Sequence, residues 1–110
     1  MIRLTVLYNL PPGADEEAFL EWRLTEHQEA NASTPGVIRT DFARIDGAYP
    51  DSVQAPYRFM TTADWPDRET FAKVFYAAEF QATLQENIKK IHEPLFLISE
   101  ILIEDKPGEG

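Results

Sequence analysis

The chain has 110 residues, of which 44% are hydrophobic and 26% charged, and this is typical of one soluble globular domain and too short for two. Its 19 Asp and Glu residues outweigh 10 Lys and Arg, and the net charge of -9 argues against nucleic acid and anionic membranes as partners. The absence of cysteine excludes disulfides, thiol nucleophiles and thiolate metal sites.

The apolar segments of the chain are short. The longest purely apolar run covers residues 74–78, whereas a membrane-spanning helix needs roughly 18 such residues. The N-terminal segment lacks the long apolar region and the small-residue cleavage site of a signal peptide. We therefore expect a cytoplasmic protein with no membrane partner.

The first two predicted elements are a strand and a helix. Apolar and polar side chains alternate over residues 2–8, which is the period of a strand with one buried face. Residues 11–13, Pro-Pro-Gly, end that strand because proline has no amide hydrogen to donate. Asp15 can then cap a helix that we expect to run to about residue 32.

Two further strands are predicted in the middle of the chain. Residues 33–36, Ser-Thr-Pro-Gly, end the first helix, and residues 37–45 return to β-type composition. After a long polar connection, residues 57–62 are predicted to form the third strand. Residues 64–67, Asp-Trp-Pro-Asp, are predicted to supply the N-cap and an early proline of the next helix.

The second helical region carries two apolar stripes that one straight helix cannot bury together. The stripes consist of Phe71, Val74, Phe75 and Ala78, and of Phe80, Leu84, Ile88 and Ile91. At about 100° per residue these stripes point well over 100° apart. We predict a turn near Glu79, a second helix to about residue 90, and His92 capping its C-terminal end.

The last predicted strand covers residues 95–103 and is apolar on both faces. The element order predicts an α+β, ferredoxin-like βαββαβ domain over residues 1–104, with a four-stranded antiparallel sheet and helices on one face. The other face then needs a cover, and we expect a second copy of the chain to supply it. The polar residues 105–110 are predicted to form a disordered tail.

Three polar residues fall on the apolar arc of the first helix. At helical spacing Arg23, Glu26 and His27 share this arc with Phe19 and Trp22. Burying a polar group without a hydrogen-bond partner costs several kcal/mol. These side chains therefore either line a cavity together, or each one reaches solvent or finds its own hydrogen-bond partner. In the second case Arg23 and Glu26 reach solvent and His27 binds a backbone carbonyl.

Two roles are also open for several aromatic residues. Tyr8, Tyr57 and Phe59 are predicted either to pack in the core or to form walls around a flat organic ligand. Two histidines without an HExxH motif give no basis for a metal site, and no glycine-rich phosphate-binding loop is present. Neither a metal nor another cofactor is expected.

Four short segments resemble a known family. They are IRLTVLYNLPPG, the DEEAFLEW segment with His27 five residues after Trp22, the Pro-Gly-Val of residues 35–37, and FLISEILIE. In these the chain resembles the EthD-like branch of the dimeric α+β barrel superfamily. The resemblance implies two sheets packed across a homodimer, a small cavity, and His27 as a residue of that cavity.

Members of that superfamily include cofactor-free monooxygenases, isomerases and cyclases, so the resemblance implies no single reaction. Our first hypothesis is a cofactor-independent enzyme acting on a hydrophobic organic compound, with His27 as general base and Arg23 stabilising an oxyanion. The candidate substrate-binding residues are Tyr8, Trp22, Glu26, Tyr57 and Phe59. The alternative hypothesis is a non-catalytic binding or accessory protein that uses the same cavity.

Overall fold

Four strands form one antiparallel sheet in the order β2-β3-β1-β4. The computed structural model of the protein describes residues 1–105. The strands are β1 (Ile2–Asn9), β2 (Arg39–Arg44), β3 (Phe59–Trp65) and β4 (His92–Glu100). The helices are α1 (Glu16–Trp22), α2 (Gln28–Ala32), α3 (Arg68–Phe75) and α4 (Ala78–Asn87). The predicted α+β, ferredoxin-like arrangement is confirmed.

The core lies between the sheet and the helices. Alternate residues of β1, from Ile2 to Tyr8, are buried, as the period-2 pattern predicts. Trp65 from β3 and Phe71 from α3 complete the centre of this layer, with their rings edge to face at 5.1 Å. The helices therefore cover one face of the sheet only.

The first helical stretch begins as predicted but is not a uniform helix. Asp15 caps α1 by accepting a hydrogen bond from the Ala18 amide at 3.2 Å. A π-helical turn, Arg23–His27, then joins α1 to α2. A π turn is wider than an α turn and advances less per residue, so the residues within and after it are rotated relative to an ideal helix.

The second helical region is interrupted, as the two apolar stripes require. The break lies at Tyr76 and Ala77, two to three residues before the predicted turn at Glu79. Gln81 Nε2 donates a hydrogen bond to the Phe75 carbonyl at 2.6 Å, which satisfies a carbonyl in the last turn of α3. A short 3-10 turn, Ile88–Lys90, ends the region.

Residues 64–67 supply the cap of α3 as predicted, although not through Asp64, whereas the predicted cap at His92 is wrong. Asp64 belongs to β3, where its carboxylate accepts hydrogen bonds from Arg3 on β1 at 2.8 and 3.0 Å. The cap of α3 is Asp67, which accepts from the Thr70 amide at 2.7 Å. His92 does not cap a helix because it pairs with Asn9 and begins β4.

The outer face of the sheet carries an apolar patch. Leu7 pairs with both Leu95 and Met60, and Leu97 lies next to them on the same face. β4 ends at Glu100, earlier than predicted, and Leu102 beyond it is 86% exposed. Apart from Asp105, the predicted disordered tail lies outside the described residues.

Candidate functional site

A cavity of about 490 Å³ lies between the sheet and the helices. Most of its wall is apolar or aromatic, including Val6, Phe19, Trp22, Trp65, Phe80 and Leu84. The polar side chains on the wall near the first helical stretch include Tyr8, Arg23, His27, Asn31, Thr34 and Thr61. Because the wall is apolar with a few polar groups, it has the usual composition of a small-molecule site.

Arg23 is the most deeply buried charged residue on the wall, at 1% exposure. Its Nη1 donates to Gln28 Oε1 at 2.7 Å and its Nη2 to Thr61 Oγ1 at 3.2 Å. The guanidinium carbon also lies 4.3 Å from the centre of the Phe42 ring. Burial lowers the pKa of Arg23, and no carboxylate among residues 1–105 forms an ion pair with it.

Tyr8 and Thr61 extend the hydrogen-bonded group that begins at Arg23. A guanidinium can only donate, so Thr61 Oγ1 accepts from Arg23. The same oxygen lies 3.3 Å from the Tyr8 hydroxyl. The Tyr8 side chain acts in the opposite direction to burial, so the pKa of Arg23 is lowered less than burial alone would lower it. The three side chains therefore form one connected chain across the inner face of β1 and β3.

His27, the last residue of the π turn, stands on the same wall. Its ring stacks on Trp22 with the centroids 4.6 Å apart and an interplanar angle of 26°. Lys90 Nζ lies 3.9 Å from the centre of the Trp22 ring. Burial lowers the pKa of His27 to about 4, and the charges of Arg23 and Lys90 contribute. The imidazole is therefore neutral at pH 7 and free to accept a proton.

The structure brings together four of the seven predicted site residues, Tyr8, Trp22, Arg23 and His27. Glu26, which lies on the inward arc of an ideal helix, is exposed and lies outside the cavity wall, as in the expected alternative in which it reaches solvent. The π turn explains the difference, because its smaller rotation per residue moves Glu26 away from the inward arc and His27 towards it.

The remaining two predicted residues lie elsewhere. Phe59 is 0% exposed and packs against the rings of Tyr8 and Phe19 at 5.8 and 5.3 Å, so it belongs to the core rather than the wall. Tyr57 precedes β3 and lines a shallow polar depression beside the loop of residues 46–55. Neither side chain reaches the cavity.

Two residues of the site, Gln28 and Thr61, were missed from the sequence. Alternation along β3 places Thr61 on the same face as Phe59, so the strand pattern contained a signal for it. Gln28 lies five residues after Arg23, a spacing that matches a π turn but not an α turn.

The described residues give no metal site and no membrane span. Within residues 1–105, no three His, Asp or Glu side chains cluster closely enough to hold a metal ion. Over the same range, none of the helices combines the length and the apolar character needed to cross a bilayer.

The family described as REDY-like protein HapK matches residues 2–102. Among solved structures, an EthD family protein from Bacillus halodurans has a TM-score of 0.74 at 23% identity, covering 93% of this chain and 99% of that chain. HapK from Hahella chejuensis has a TM-score of 0.72 at 22% identity, covering 99% and 100%.

A third structure, SnoaB from Streptomyces nogalater, is described as a cofactor-independent oxygenase; its TM-score is 0.67 at 15% identity, with 98% and 97% covered. No curated protein is significantly similar to this chain. The predicted resemblance to EthD-like proteins is confirmed by the family match and by the shared fold.

Proposed function

The chain belongs to the family of REDY-like protein HapK, and from this premise we propose that it is a cofactor-independent enzyme acting on a small organic molecule in the described cavity. One observation carries the proposal: a neutral imidazole, His27, and a buried guanidinium, Arg23, share one wall of this cavity. A base beside a fixed positive charge suits a reaction that begins with removal of a proton.

The wall of the cavity supports a mainly apolar, flat substrate. Its volume of about 490 Å³ falls within the range of small-molecule sites. Phe19, Trp22, Trp65 and Phe80 contribute aromatic surface, and the described wall contains a single carboxylate, that of the exposed Glu79. An aromatic ketone, phenol or 1,3-dicarbonyl compound fits this environment better than a sugar or a nucleotide.

In the proposed step an acidic C–H or O–H bond of the substrate breaks and the proton moves to an imidazole nitrogen of His27. The electron pair stays on the substrate as an enolate or phenolate, whose oxygen Arg23 stabilises. Tyr8, in contact with Thr61, helps to orient this oxygen. Burial is the main cause of the low pKa of His27, and the charges of Arg23 and Lys90 add to it; formation of the anion offsets these two charges, so His27 becomes a stronger base in the complex.

Oxygenase, isomerase and cyclase reactions can all begin with this proton transfer. SnoaB, which shares the fold, is described as a cofactor-independent oxygenase, and this supports catalysis without a bound cofactor. The alternative, a non-catalytic binding protein, is favoured by the low pKa of His27, about 4, because a group with so low a pKa is a weak base in the free protein.

We further propose that the chain forms a homodimer through the outer face of its sheet. The apolar patch of Leu7, Met60, Leu95 and Leu97 has no cover among the described residues, and Leu97 is 45% exposed. An isologous contact between two such faces removes both patches from water.

A thermal-shift screen of aromatic ketones, phenols and 1,3-dicarbonyl compounds tests the proposed function. We expect at least one compound to raise the melting temperature of the wild type, and turnover of that compound to disappear in His27→Ala. A cavity-wall residue gives up few contacts, so this variant should lose about 1 kcal/mol of stability or less. A larger loss with no ligand for either protein would mean that His27 has a structural role.

A further inference from the structure

Arg23 carries a buried charge that faces the cavity. The residue is 1% exposed, and within residues 1–105 its guanidinium donates hydrogen bonds to two neutral groups, the Gln28 amide oxygen and the Thr61 hydroxyl. A buried charge without an opposite charge is destabilising, so buried charged side chains in folded proteins are normally paired with an opposite charge. Arg3 on the outer face shows the usual solution, since the Asp64 carboxylate accepts two hydrogen bonds from it.

A second positive charge lies near Arg23. Lys90 lies over the Trp22 ring at the cavity wall, and both Lys90 and Arg23 lower the pKa of His27. The one carboxylate on the described wall, Glu79, is exposed to solvent. The cavity is therefore electropositive in a chain whose net charge is -9.

We propose that the ligand of this cavity carries a negatively charged oxygen in its bound form, on a flat apolar frame, with Arg23 as its counter-ion. This inference rests on the proposed function and narrows its substrate class to organic acids. Carboxylates and ionised phenols or enols share this chemistry, whereas ethers, esters and hydrocarbons lack it. A guanidinium has five N–H donors; Gln28 and Thr61 accept from two of them, and the Tyr8 side chain also lies within hydrogen-bonding reach, which leaves two donors for such an oxygen.

Three naphthalene compounds of similar shape test the proposal: 2-naphthoate, 2-naphthol and 2-methoxynaphthalene. Calorimetry with the full chain at pH 7 gives their dissociation constants. We expect 2-naphthoate or 2-naphthol to bind roughly tenfold more tightly than the neutral ether, or better. Tighter binding of 2-naphthoate identifies a carboxylate ligand, and the absorption spectrum of ionised 2-naphthol in the complex identifies a phenolate or enolate.

Arg23→Met assigns the preference to this residue, because it removes the charge and keeps an apolar chain. In this variant the acidic compounds and the neutral ether should bind with about equal affinity, while the dissociation constant of the ether changes by less than about threefold. Lys89→Met is the matched control, since Lys89 is an exposed lysine paired with Glu86 at 3.1 Å and does not line the cavity. The control should keep the preference of the wild type.

Equal binding of all three compounds to the wild type would overturn the inference and leave the proposed function intact. A preference that survives in Arg23→Met, or that also disappears in Lys89→Met, would overturn the assignment to Arg23. If none of the compounds binds, the inference fails, and the proposed function is judged separately by proton exchange in substrates of its own panel. If Arg23→Met does not fold, the affinities of the three compounds for the wild type decide whether the cavity prefers an anionic ligand.

Discussion

Arg23 Nη2 donates a hydrogen bond to Thr61 Oγ1 at 3.2 Å and so joins the π turn to β3 across the inner face of the sheet. The two residues are 38 positions apart in the chain. This contact holds the guanidinium on the cavity wall, where it lies over Phe42 and close to Tyr8. The position of the charge therefore depends on tertiary packing rather than on helix periodicity.

Thr61→Val tests the contribution of this contact to stability. The substitution leaves a buried guanidinium N–H without its acceptor, and we expect the free energy of unfolding to fall by about 1–3 kcal/mol. Thr61→Ser keeps the hydroxyl and should recover most of the loss. Urea unfolding of the three proteins measures this, and equal stability of Thr61→Val and wild type would show that the hydrogen bond contributes nothing.

A side chain at position 36 is predicted to destabilise the fold. The φ of Gly36 is +77°, and a Cβ there would lie 2.7 Å from Thr70 Cγ2 and 3.2 Å from Trp65 Cδ1. Gly36→Ala should therefore destabilise the fold by about 2–3 kcal/mol, from backbone strain and the clash together. Gly13 is the matched control: its φ is +81° and a Cβ there would meet no atom within 4 Å, so Gly13→Ala should cost only about 1 kcal/mol. Equal losses in the two variants would show that the contacts with Thr70 and Trp65 do not matter.

His27 makes stability depend on pH in a defined window. Its pKa is lowered from 6.5 to about 4, so the unfolded chain binds more protons than the folded chain between these values. The stability associated with neutral His27 is fully present above about pH 6.5 and is lost as the pH falls towards 4. Because the imidazole is only partly buried and solvent screens its charge, we expect the loss to be about 1–2 kcal/mol.

His27→Gln removes this titration and serves as the reference. Urea unfolding of both proteins across the window should show the wild type losing stability relative to the variant as the pH falls. Parallel curves for the two proteins would mean that His27 titrates alike in the folded and unfolded chain, and would contradict its burial beside Arg23.

The proposed homodimer gives a prediction for Leu97. Light scattering of the wild type should report about 25 kDa, twice the chain mass of 12.6 kDa. Leu97→Glu places a charge in the apolar patch of the outer sheet face and should yield the monomer. Leu24→Glu is the control, because Leu24 is similarly exposed, at 59%, but lies in the π turn, away from the outer sheet face. A monomeric wild type at micromolar concentration would contradict the dimer.

The elements that could be predicted are those with a strong local period. The alternation of β1 and the two apolar stripes of the second helical region each predicted a real feature, because each pattern reflects which side of one element is buried. The predicted capping segment, residues 64–67, contains the real cap, Asp67, but its first residue, Asp64, belongs to β3 and binds Arg3, which is 61 residues away. Local pattern cannot detect a partner at that distance.

The candidate site was predictable in part for the same reason. His27 and Arg23 were found from helical spacing, since polar residues on an apolar arc are unusual. The π turn sets their final orientation and accompanies the contacts of Arg23 with Gln28 and Thr61, and a regular spacing of about 100° per residue does not predict it. The same turn leaves Glu26 exposed and outside the cavity wall.

The most direct test of the central claim is the rate at which the protein exchanges the acidic C–H proton of a bound substrate for deuterium. The compound is the aromatic ketone or 1,3-dicarbonyl ligand that gives the largest thermal shift, and proton NMR in D₂O follows the loss of its signal. We predict that wild type accelerates exchange and that His27→Gln reduces the acceleration by about 100-fold or more while still binding the compound. Equal exchange rates for the two proteins, with binding unchanged, would contradict the role of His27 as the base.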